Sequence, residues 1–326
     1  MQGLNNLGAT CAVNTLIQII CRNHYLRDSI LKQDIPNNTL AIELKEILKI
    51  MHVDNNSLSP NKFIKHLYQR LPMFNFGEQL DITELWLVFF DKICDEINYK
   101  LPDIKYNKKF ENCMLNDPLI NNKADYIINK FNNNKASTWL NNSQGVIINI
   151  IECNKCKNIS YNFEPFVAIQ LDLPSNSDKS VSLTSLFRDY LKQTINKDEW
   201  KCEKCKENTE YKKTLKLWKV PNVLTFFLKR YIDVNKKNNH KININKNINI
   251  HKGCILSDKD LYVSYNISSI GCHIGNLNSG HYYAICKNED GENFIKYDDM
   301  NINVYNKDNC NFLDNNKDCY MITYSI

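Results

Sequence analysis

Residues 3–18 read GLNNLGATCAVNTLIQ and place Cys11 where a loop rich in Gly and Asn gives way to an apolar pattern. The apolar positions that follow lie on one face of a 3.6-residue repeat: Val13, Leu16, Ile17 and Ile20. Thr10, directly before the pattern, stands in the position of a helix N-cap. The stretch therefore predicts a buried helix that begins at Cys11.

Its position at a helix start makes Cys11 a candidate nucleophile. A free thiol, with a pKa of about 8.5, is mostly protonated near neutral pH, and the exposed N–H groups of a first helical turn favour the thiolate. Gly3 and Gly8 leave room for a substrate backbone, and the Asn6 amide could bind an oxyanion together with the backbone N–H of Cys11. Taken alone, a free cysteine is more often a small buried apolar residue, and Asn6 an ordinary turn residue.

A base for this thiol would be one of the chain's seven histidines. Only His273 and His281 are expected in a loop that leads into a strand. A flexible Gly280 precedes His281 and a predicted strand follows it, which suits a rigidly held general base, with His273 as its rival. A hairpin could return Asp298 to orient His281, although a surface turn is the alternative for the Asp298–Asp299 pair.

Two Cys-x2-Cys pairs predict a metal site. They are Cys153 with Cys156 and Cys202 with Cys205, and each ends a strand-like run. Four thiolates complete a tetrahedral Zn²⁺ shell with no position left for a catalytic water, so the predicted ion is structural. Most of the other cysteines we assign to packing: Cys21, Cys94, Cys113, Cys254, Cys272, Cys286, Cys310 and Cys319.

Composition excludes several classes of protein. The chain has 326 residues, enough for a core without disulfide staples, and the first residues lack the basic and apolar regions of a signal peptide. No apolar run approaches the length of a membrane span. The net charge of +5 is carried almost wholly by Lys, which is poor evidence for nucleic-acid recognition. We expect an intracellular protein, a monomer, with no membrane and no nucleic acid among its partners.

The pattern along the chain predicts an α+β fold. Helical stripes occupy the first third, at 40–51 and 82–97, and a further helix is expected at about Leu183 to Lys192. Short β-branched and aromatic runs predict strands of an antiparallel sheet system at 146–151, 166–173, 223–231, 261–265, 281–286, 294–297 and 319–324. The Asn- and Lys-rich stretch from Lys236 to Ile250 is interpreted as a loop insertion.

Together the Cys11, His281 and Asp298 segments resemble the ubiquitin-specific protease family, a papain-like class of deubiquitinating cysteine peptidases, from residue 3 to the C-terminus. The resemblance implies that Cys11 is the nucleophile, His281 the base, Asp298 the third triad member and Asn6 the oxyanion-hole amide, with assistance from Asp299. It also implies hydrolysis of the isopeptide or peptide bond after the C-terminal Gly of ubiquitin, through a thioester.

Other segments extend the resemblance. Residues 79–85 resemble the family's Gln-Asp box, and Glu164-Pro165-Phe166 and Leu228-Lys229-Arg230-Tyr231 resemble two further boxes. Asp81 is implied to contact arginines of the ubiquitin tail, although Asp81 and Glu84 also form a helix capping box. The other substrate-binding residues implied are Gln79, His273, Gly280 and Tyr282.

The implied fold is a single catalytic unit shaped like a hand. A helical thumb covers about 1–135, fingers pinned by the zinc and palm strands about 136–232, and a palm carrying the His box about 233–326. Ala12 and Val13 depart from the family, which commonly has an aromatic residue and Met there, and this could loosen packing near Cys11. Two alternatives remain: a module that holds ubiquitin without cutting it, and a zinc-ribbon nucleic-acid binder, which lacks the expected Arg clusters.

Overall fold

The computed structural model describes residues 2–53, 57–111, 113–115, 117–175, 179–233, 236–251, 262–276, 279–289, 291–306 and 308–326. Cys254, assigned above to packing, and Leu261, the first residue of a predicted strand, lie outside these ranges. No helix within the described ranges has both the length and the apolar character needed to cross a membrane.

Helices dominate the first third of the chain, as predicted. In the described ranges the α-helices are α1 (Cys11–Arg22), α2 (His24–Leu31), α3 (Leu40–Val53), α4 (Asn61–Arg70), α5 (Ile82–Ile97), α6 (Ile120–Phe131), α7 (Thr138–Ser143) and α8 (Leu183–Tyr190). Short 3₁₀ turns lie at Lys108–Phe110 and Asn311–Leu313. The predicted helices at 40–51, 82–97 and 183–192 are thereby confirmed.

Strands follow in the last two thirds. They are β1 (Tyr99–Lys100), β2 (Lys135–Ala136), β3 (Gly145–Cys153), β4 (Ile159–Phe166), β5 (Ile169–Asp172), β6 (Val181–Ser182), β7 (Thr194–Lys201), β8 (Asn208–Lys219), β9 (Val223–Lys229), β10 (Tyr231–Asp233), β11 (Lys236–Lys237), β12 (Ile242–Asn243), β13 (Asn247–His251), β14 (Tyr262–Gly275), β15 (Gly280–Lys287), β16 (Phe294–Asp298), β17 (Asn301–Tyr305) and β18 (Cys319–Ser325).

Two sheets contain most of these strands, and the others form the two-stranded pairs β1-β2, β10-β11 and β6-β12. The central sheet has the order β17-β16-β15-β14-β18-β9-β5, with β13 also paired to β14, and the second sheet has the order β4-β3-β8-β7. A single strand was predicted at 166–173, and this is wrong. The chain leaves the second sheet after Phe166 and enters the central sheet at Ile169, where β5 pairs in parallel with β9. The two residues between these strands turn the chain from one sheet into the other.

Helix α1 is buried against one face of the central sheet. Eleven of its 12 residues are buried, and it packs on β14, β15 and β16. Gly271 of β14 lies at this contact, where a Cβ would meet Ile82 Cδ1 of α5 at 3.4 Å and Ile19 Cδ1 of α1 at 3.5 Å, which are ordinary van der Waals distances. The first core lies between the helices and this face, and a second core covers the opposite face. Successive side chains of each strand point to opposite faces of the sheet, so the same strand contributes residues to both cores.

The stretch from Lys236 to Ile250 is not the loop insertion that we predicted. It contains strands β11, β12 and β13, and its isoleucines are buried in the second core: Ile242, Ile244, Ile248 and Ile250. From Ile242 onward Ile and Asn alternate, which is the period of a strand with one buried face. The high content of Asn and Lys concealed this period.

Arg230 holds this stretch in place from inside the protein. Its side chain is fully buried, and its guanidinium donates hydrogen bonds to the backbone carbonyls of Cys319 (2.5 Å), Asn238 (3.0 Å), His240 (3.0 Å) and Asn316 (3.3 Å). A guanidinium has enough donors for all four carbonyls, whereas a lysine has three. Arg230 therefore joins β18 to the chain that leads into β12.

We predict that Arg230→Met lowers the free energy of unfolding by about 3 kcal/mol, because it leaves buried carbonyls without donors. Urea unfolding followed by circular dichroism measures the change. The matched control is Arg188→Met, which removes a guanidinium from an exposed position of α8. Equal midpoints and slopes for the two variants would contradict the role given to Arg230.

Candidate active site and metal-binding cysteines

Cys11 lies at the first position of α1 and is only 2% exposed. Thr10 does not cap this helix, contrary to our prediction. Its hydroxyl turns back into the preceding loop, where it accepts a hydrogen bond from Leu7 N at 2.9 Å and lies 3.3 Å from Asn6 Oδ1. Ala12 and Val13 are both fully packed in the first core.

His281 and Asp298 meet as the sequence predicted. His281 lies at the start of β15 and Asp298 at the end of β16, and His281 Nε2 is 2.6 Å from Asp298 Oδ1. The second carboxylate oxygen, Oδ2, is 2.7 Å from Lys296 Nζ. Lys296 in turn lies 4.2 Å from the centroid of the Tyr283 ring. Asp298 is thus fixed from both sides, by an imidazole and by an ammonium.

Cys11 and Asp298 together raise the pKa of His281 to about 9. The largest cause is hydrogen bonding to Cys11, which outweighs the lowering effect of burial, and Asp298 adds to the increase. The pKa of Asp298 is lowered by Lys296 and His281 against the opposing effect of burial. At neutral pH the imidazolium and the carboxylate are therefore the favoured forms of this pair.

Asn6 and Asp299 form a second polar group beside Cys11. Asp299 accepts hydrogen bonds from Asn6 Nδ2 (2.9 Å) and from Asn14 Nδ2 (2.8 Å), one on each oxygen. Asn6 Oδ1 accepts from the backbone N–H of Gly8 (3.1 Å) and Thr10 (3.2 Å). These bonds fix the orientation of the Asn6 amide, whose N–H₂ group lies on the Asp299 side.

Gly3 serves the fold rather than a substrate, which corrects our interpretation. A Cβ at Gly3 would lie 2.6 Å from the backbone oxygen of Met300, so the glycine lets the N-terminal segment run along the turn after β16. Leu4 N donates to Asp299 O at 3.0 Å in the same place. Asp299 has a φ of 51°, in the left-handed region, and this contact keeps it there.

Asp81 and Gln79 lie on the other side of Cys11. Gln79 Oε1 is 3.9 Å from Cys11 Sγ. Asp81 is the N-cap of α5: its Oδ1 accepts from Thr83 N (2.7 Å) and Glu84 N (3.1 Å), so the capping interpretation is correct. Its Oδ2 accepts from the Tyr320 hydroxyl at 2.8 Å. The cap and Tyr320 hold the carboxylate at the start of the helix.

His273 is not placed as a base for Cys11. It lies inside β14 instead of in a loop, 2% exposed, with Nδ1 3.0 Å from the Tyr231 hydroxyl. Burial and the nearby Lys237 lower its pKa to about 4. Its ring stacks on that of Tyr282, which is itself buried, at 4.3 Å between centroids.

Gly280 makes room for His273. It belongs to β15 and is not a flexible residue in front of the strand. A Cβ at Gly280 would lie 2.0 Å from His273 Nε2, so only glycine fits at this point of the sheet.

The four cysteines converge into one cluster, and their sulfurs all lie within 4.8 Å of one another. Cys153 Sγ is 3.9 Å from Cys205 Sγ, and Cys156 Sγ is 3.6 Å from Cys202 Sγ. Both pairs fold alike: the N–H of the second cysteine points at the sulfur of the first, 3.5 Å away in Cys153–Cys156 and in Cys202–Cys205. The group could hold a metal ion.

Several residues of the site were missed from the sequence. Lys296 lies two positions before Asp298 on one strand, so a period-2 pattern could have placed both on one face. Asn14 is one turn after Cys11 on α1, but nothing in the sequence connects it to Asp299. Tyr320 reaches Asp81 from the far end of the chain, and pairing between such distant segments has no local signal.

The sequence of the chain matches a known protein family. The sequence model of the family described as ubiquitin carboxyl-terminal hydrolase matches residues 2–324. Ubiquitin carboxyl-terminal hydrolase 21 of Bos taurus is 24% identical over 317 residues, covering 89% of this chain and 56% of that protein. Ubiquitin carboxyl-terminal hydrolase Usp2 of Drosophila melanogaster is 24% identical over 312 residues, covering 91% of this chain and 32% of that protein. The chain thus spans only part of these relatives.

Solved structures share the fold. A chain of the SAGA DUB module Ubp8/Sgf11/Sus1/Sgf73 bound to monoubiquitin superposes with a TM-score of 0.74 and 20% identity, covering 100% of this chain and 69% of that chain. The same module bound to ubiquitin aldehyde gives a TM-score of 0.73 and 21% identity, with the same coverage. The predicted α+β, papain-like fold with a cysteine-pinned β subdomain is confirmed, while the subdomain boundaries near 135 and 232 stay predictions.

We predict that His281 titrates near pH 9 in the folded protein, because Cys11 and Asp298 stabilise its imidazolium. Cys11→Ala should lower this pKa by more than Asp298→Asn does, since Cys11 is the larger cause. Ring proton shifts of labelled histidine measure it, with the exposed Asp314→Asn as the control that leaves it unchanged. A wild-type His281 that titrates at or below about 6.5 would refute the arrangement.

Proposed function

Since this chain belongs to the ubiquitin carboxyl-terminal hydrolase family, we propose that it is a deubiquitinase that cleaves the bond after the C-terminal Gly of ubiquitin through a Cys11 thioester. The observation that carries the proposal is geometric: His281 lies 2.6 Å from Asp298, and Cys11 opens a buried helix that packs on the same strands, in a chain that matches the family over residues 2–324. A thiol, a base that is charged at neutral pH and a carboxylate that orients the base are the components of nucleophilic catalysis by cysteine.

In the proposed reaction the proton of the Cys11 thiol lies on His281, in line with the imidazolium form favoured at neutral pH, and the sulfur attacks the scissile carbonyl. His281 then gives its proton to the leaving amine, which departs as the thioester forms. Attack consumes the Cys11 sulfur, the largest cause of the raised pKa of His281, so the imidazolium becomes a stronger acid at the step in which it gives up its proton. In the second half of the reaction the imidazole activates water, which releases ubiquitin and restores the thiol.

Asn6 is proposed to bind the oxyanion together with the backbone N–H of Cys11. Asp299 assists indirectly, because its carboxylate holds the Asn6 amide and the Asn14 amide at once. Two backbone N–H groups fix the other end of the Asn6 amide. An amide that is held before substrate arrives does not have to be reoriented in the transition state.

Gln79, Asp81, His273, Gly280 and Tyr282 are proposed to form the channel for the ubiquitin tail. Asp81 supplies the negative charge for arginines of the tail, and Tyr320 and the helix cap hold it in place. His273 and Tyr282 are buried, so their proposed part is to form the channel wall behind Asp81, with Gly280 giving them space. This neutral, aromatic wall leaves Asp81 as the charged group that selects arginine.

Zinc is proposed for the four-cysteine cluster. A tetrahedral ion about 2.3 Å from each sulfur separates the sulfurs by about 3.8 Å. The observed separations of 3.9 Å and 3.6 Å match this value. When bound, the ion would join the end of β3 to the turn after β7, which shapes the second sheet to hold the globular body of ubiquitin.

The protein is proposed to act as a monomer inside the cell.

We predict that the protein releases a fluorogenic amine from the C-terminus of ubiquitin and that Cys11→Ala abolishes this release. An electrophile placed at the C-terminus of ubiquitin should form one adduct, mapped to Cys11 by mass spectrometry. Cys310→Ser, at a thiol outside the site, is the matched control and should retain the wild-type rate. If wild-type and Cys11→Ala release amine equally slowly while both bind ubiquitin, the chain is a binding module rather than an enzyme.

For the metal, we predict one zinc ion per chain by elemental analysis of the purified protein. Cys205→Ser should lose the ion and lower the melting temperature by several degrees, because a structural zinc contributes directly to folding. The expected loss of activity is larger toward whole ubiquitin substrates than toward electrophiles carrying only the tail peptide. A full zinc content in Cys205→Ser would show that the ion sits elsewhere.

A further inference from the structure

A pocket lies beside the loop that carries Asn6. It has a volume of about 460 Å³ and is lined by Leu7, Asn61, Ile64, Lys65, Tyr68 and Phe76, and we refer to it as the Tyr68 pocket. Leu7 stands between Asn6 and Gly8, and a Cβ at Gly8 would lie 3.8 Å from the Phe76 ring. One wall of the pocket is therefore the same loop that positions the oxyanion-binding amide.

The pocket is separate from the proposed tail channel. None of the five tail-channel residues lines it. A substrate of the proposed reaction has two sides at the scissile bond: the ubiquitin tail, and the protein segment that carries the modified lysine. The proposed tail channel takes the ubiquitin tail. The pocket next to Leu7 and Gly8 is therefore available to the protein segment that carries the modified lysine.

Tyr68 contributes its ring to the pocket lining. Its hydroxyl is fully buried, so a ligand in the pocket would meet the ring and not the hydroxyl. Its ring packs edge-on against Phe76, with 5.5 Å between centroids and 89° between planes. Burial and then the charges of Cys11 and Glu78 raise the pKa of Tyr68, so the phenol stays protonated and lies within the field of the nucleophile.

The rest of the lining is suited to an apolar side chain. Ile64 is buried beneath the pocket, and Phe76 is 60% exposed at its edge. Lys65 is exposed at the rim, where its charge disfavours a second cation.

We propose that the Tyr68 pocket binds an apolar side chain of the substrate protein next to the ubiquitin-modified lysine. This inference rests on the proposed deubiquitinase activity and deepens it. The enzyme would then select among ubiquitinated proteins by the sequence around the modified lysine, in addition to recognising ubiquitin.

Two ubiquitin conjugates test the proposal. In each, ubiquitin is joined to the lysine side chain of a short peptide, and the residues flanking the lysine are either all Gly or Leu on both sides. Wild-type protein should cleave the Leu-flanked conjugate with a kcat/KM about tenfold higher, as expected for an apolar side chain that fills a pocket. Phe76→Ala should reduce this preference to about twofold. Met73→Ala, in the same loop but outside the pocket, should keep the tenfold preference.

The outcomes separate this proposal from the function on which it depends. If the wild type cleaves neither conjugate and does not react with the ubiquitin electrophile, the deubiquitinase activity itself is refuted. If it cleaves both conjugates at equal rates, or if Phe76→Ala keeps the tenfold preference, the activity stands and the role of the Tyr68 pocket is refuted.

Discussion

The packing of α1 against β14, β15 and β16 is the contact on which the candidate site depends. It buries eleven of the 12 residues of the helix and sets its first residue, Cys11, beside the start of β15. The chain between Cys11 and His281 builds almost the whole protein, so neither residue can reach the other until the sheet and the helices have docked. Burial of apolar surface, worth about 25 cal/mol per Å², drives this docking. The docking brings Cys11 and His281 close enough to interact electrostatically.

Polar contacts then fix the orientation of the side chains that the apolar packing brings together. Lys296, Asp298 and His281 form one row, and Asn6, Asp299 and Asn14 form another, with Cys11 between them. The turn at Asp298–Asp299 belongs to both rows, and the backbone contact between Leu4 and Asp299 ties it to the N-terminal segment. A shift of this turn would disturb His281 and Asn6 together, so the left-handed Asp299 and the close approach of Gly3 are part of the candidate site.

The sequence predicts most of the elements and the three chemical segments because their signals are local. A 3.6-residue stripe predicts α1, and the Cys-x2-Cys spacing predicts each half of the metal cluster. The predictions that were wrong concern residues whose position depends on tertiary structure. Thr10 bonds to its own loop instead of capping α1, and His273 lies inside a long strand because β14 extends to Gly275. The alternation of Ile and Asn after Ile242 is the pattern of a half-buried strand, which the high content of Asn and Lys obscured. No local pattern indicates that Arg230 donates hydrogen bonds to the chain that leads into β12.

His273 and His281 show how the fold shifts the pKa values of two like side chains on paired strands in opposite directions. His281 faces Cys11 and Asp298, and its pKa rises to about 9, whereas His273 is buried next to Lys237 and its pKa falls to about 4. The charge of His281 itself contributes to the low value of His273. Between these values His281 is positively charged and His273 is neutral. In the proposed mechanism this confines the acid for the leaving amine to His281, and His273 adds no charge to the proposed tail channel.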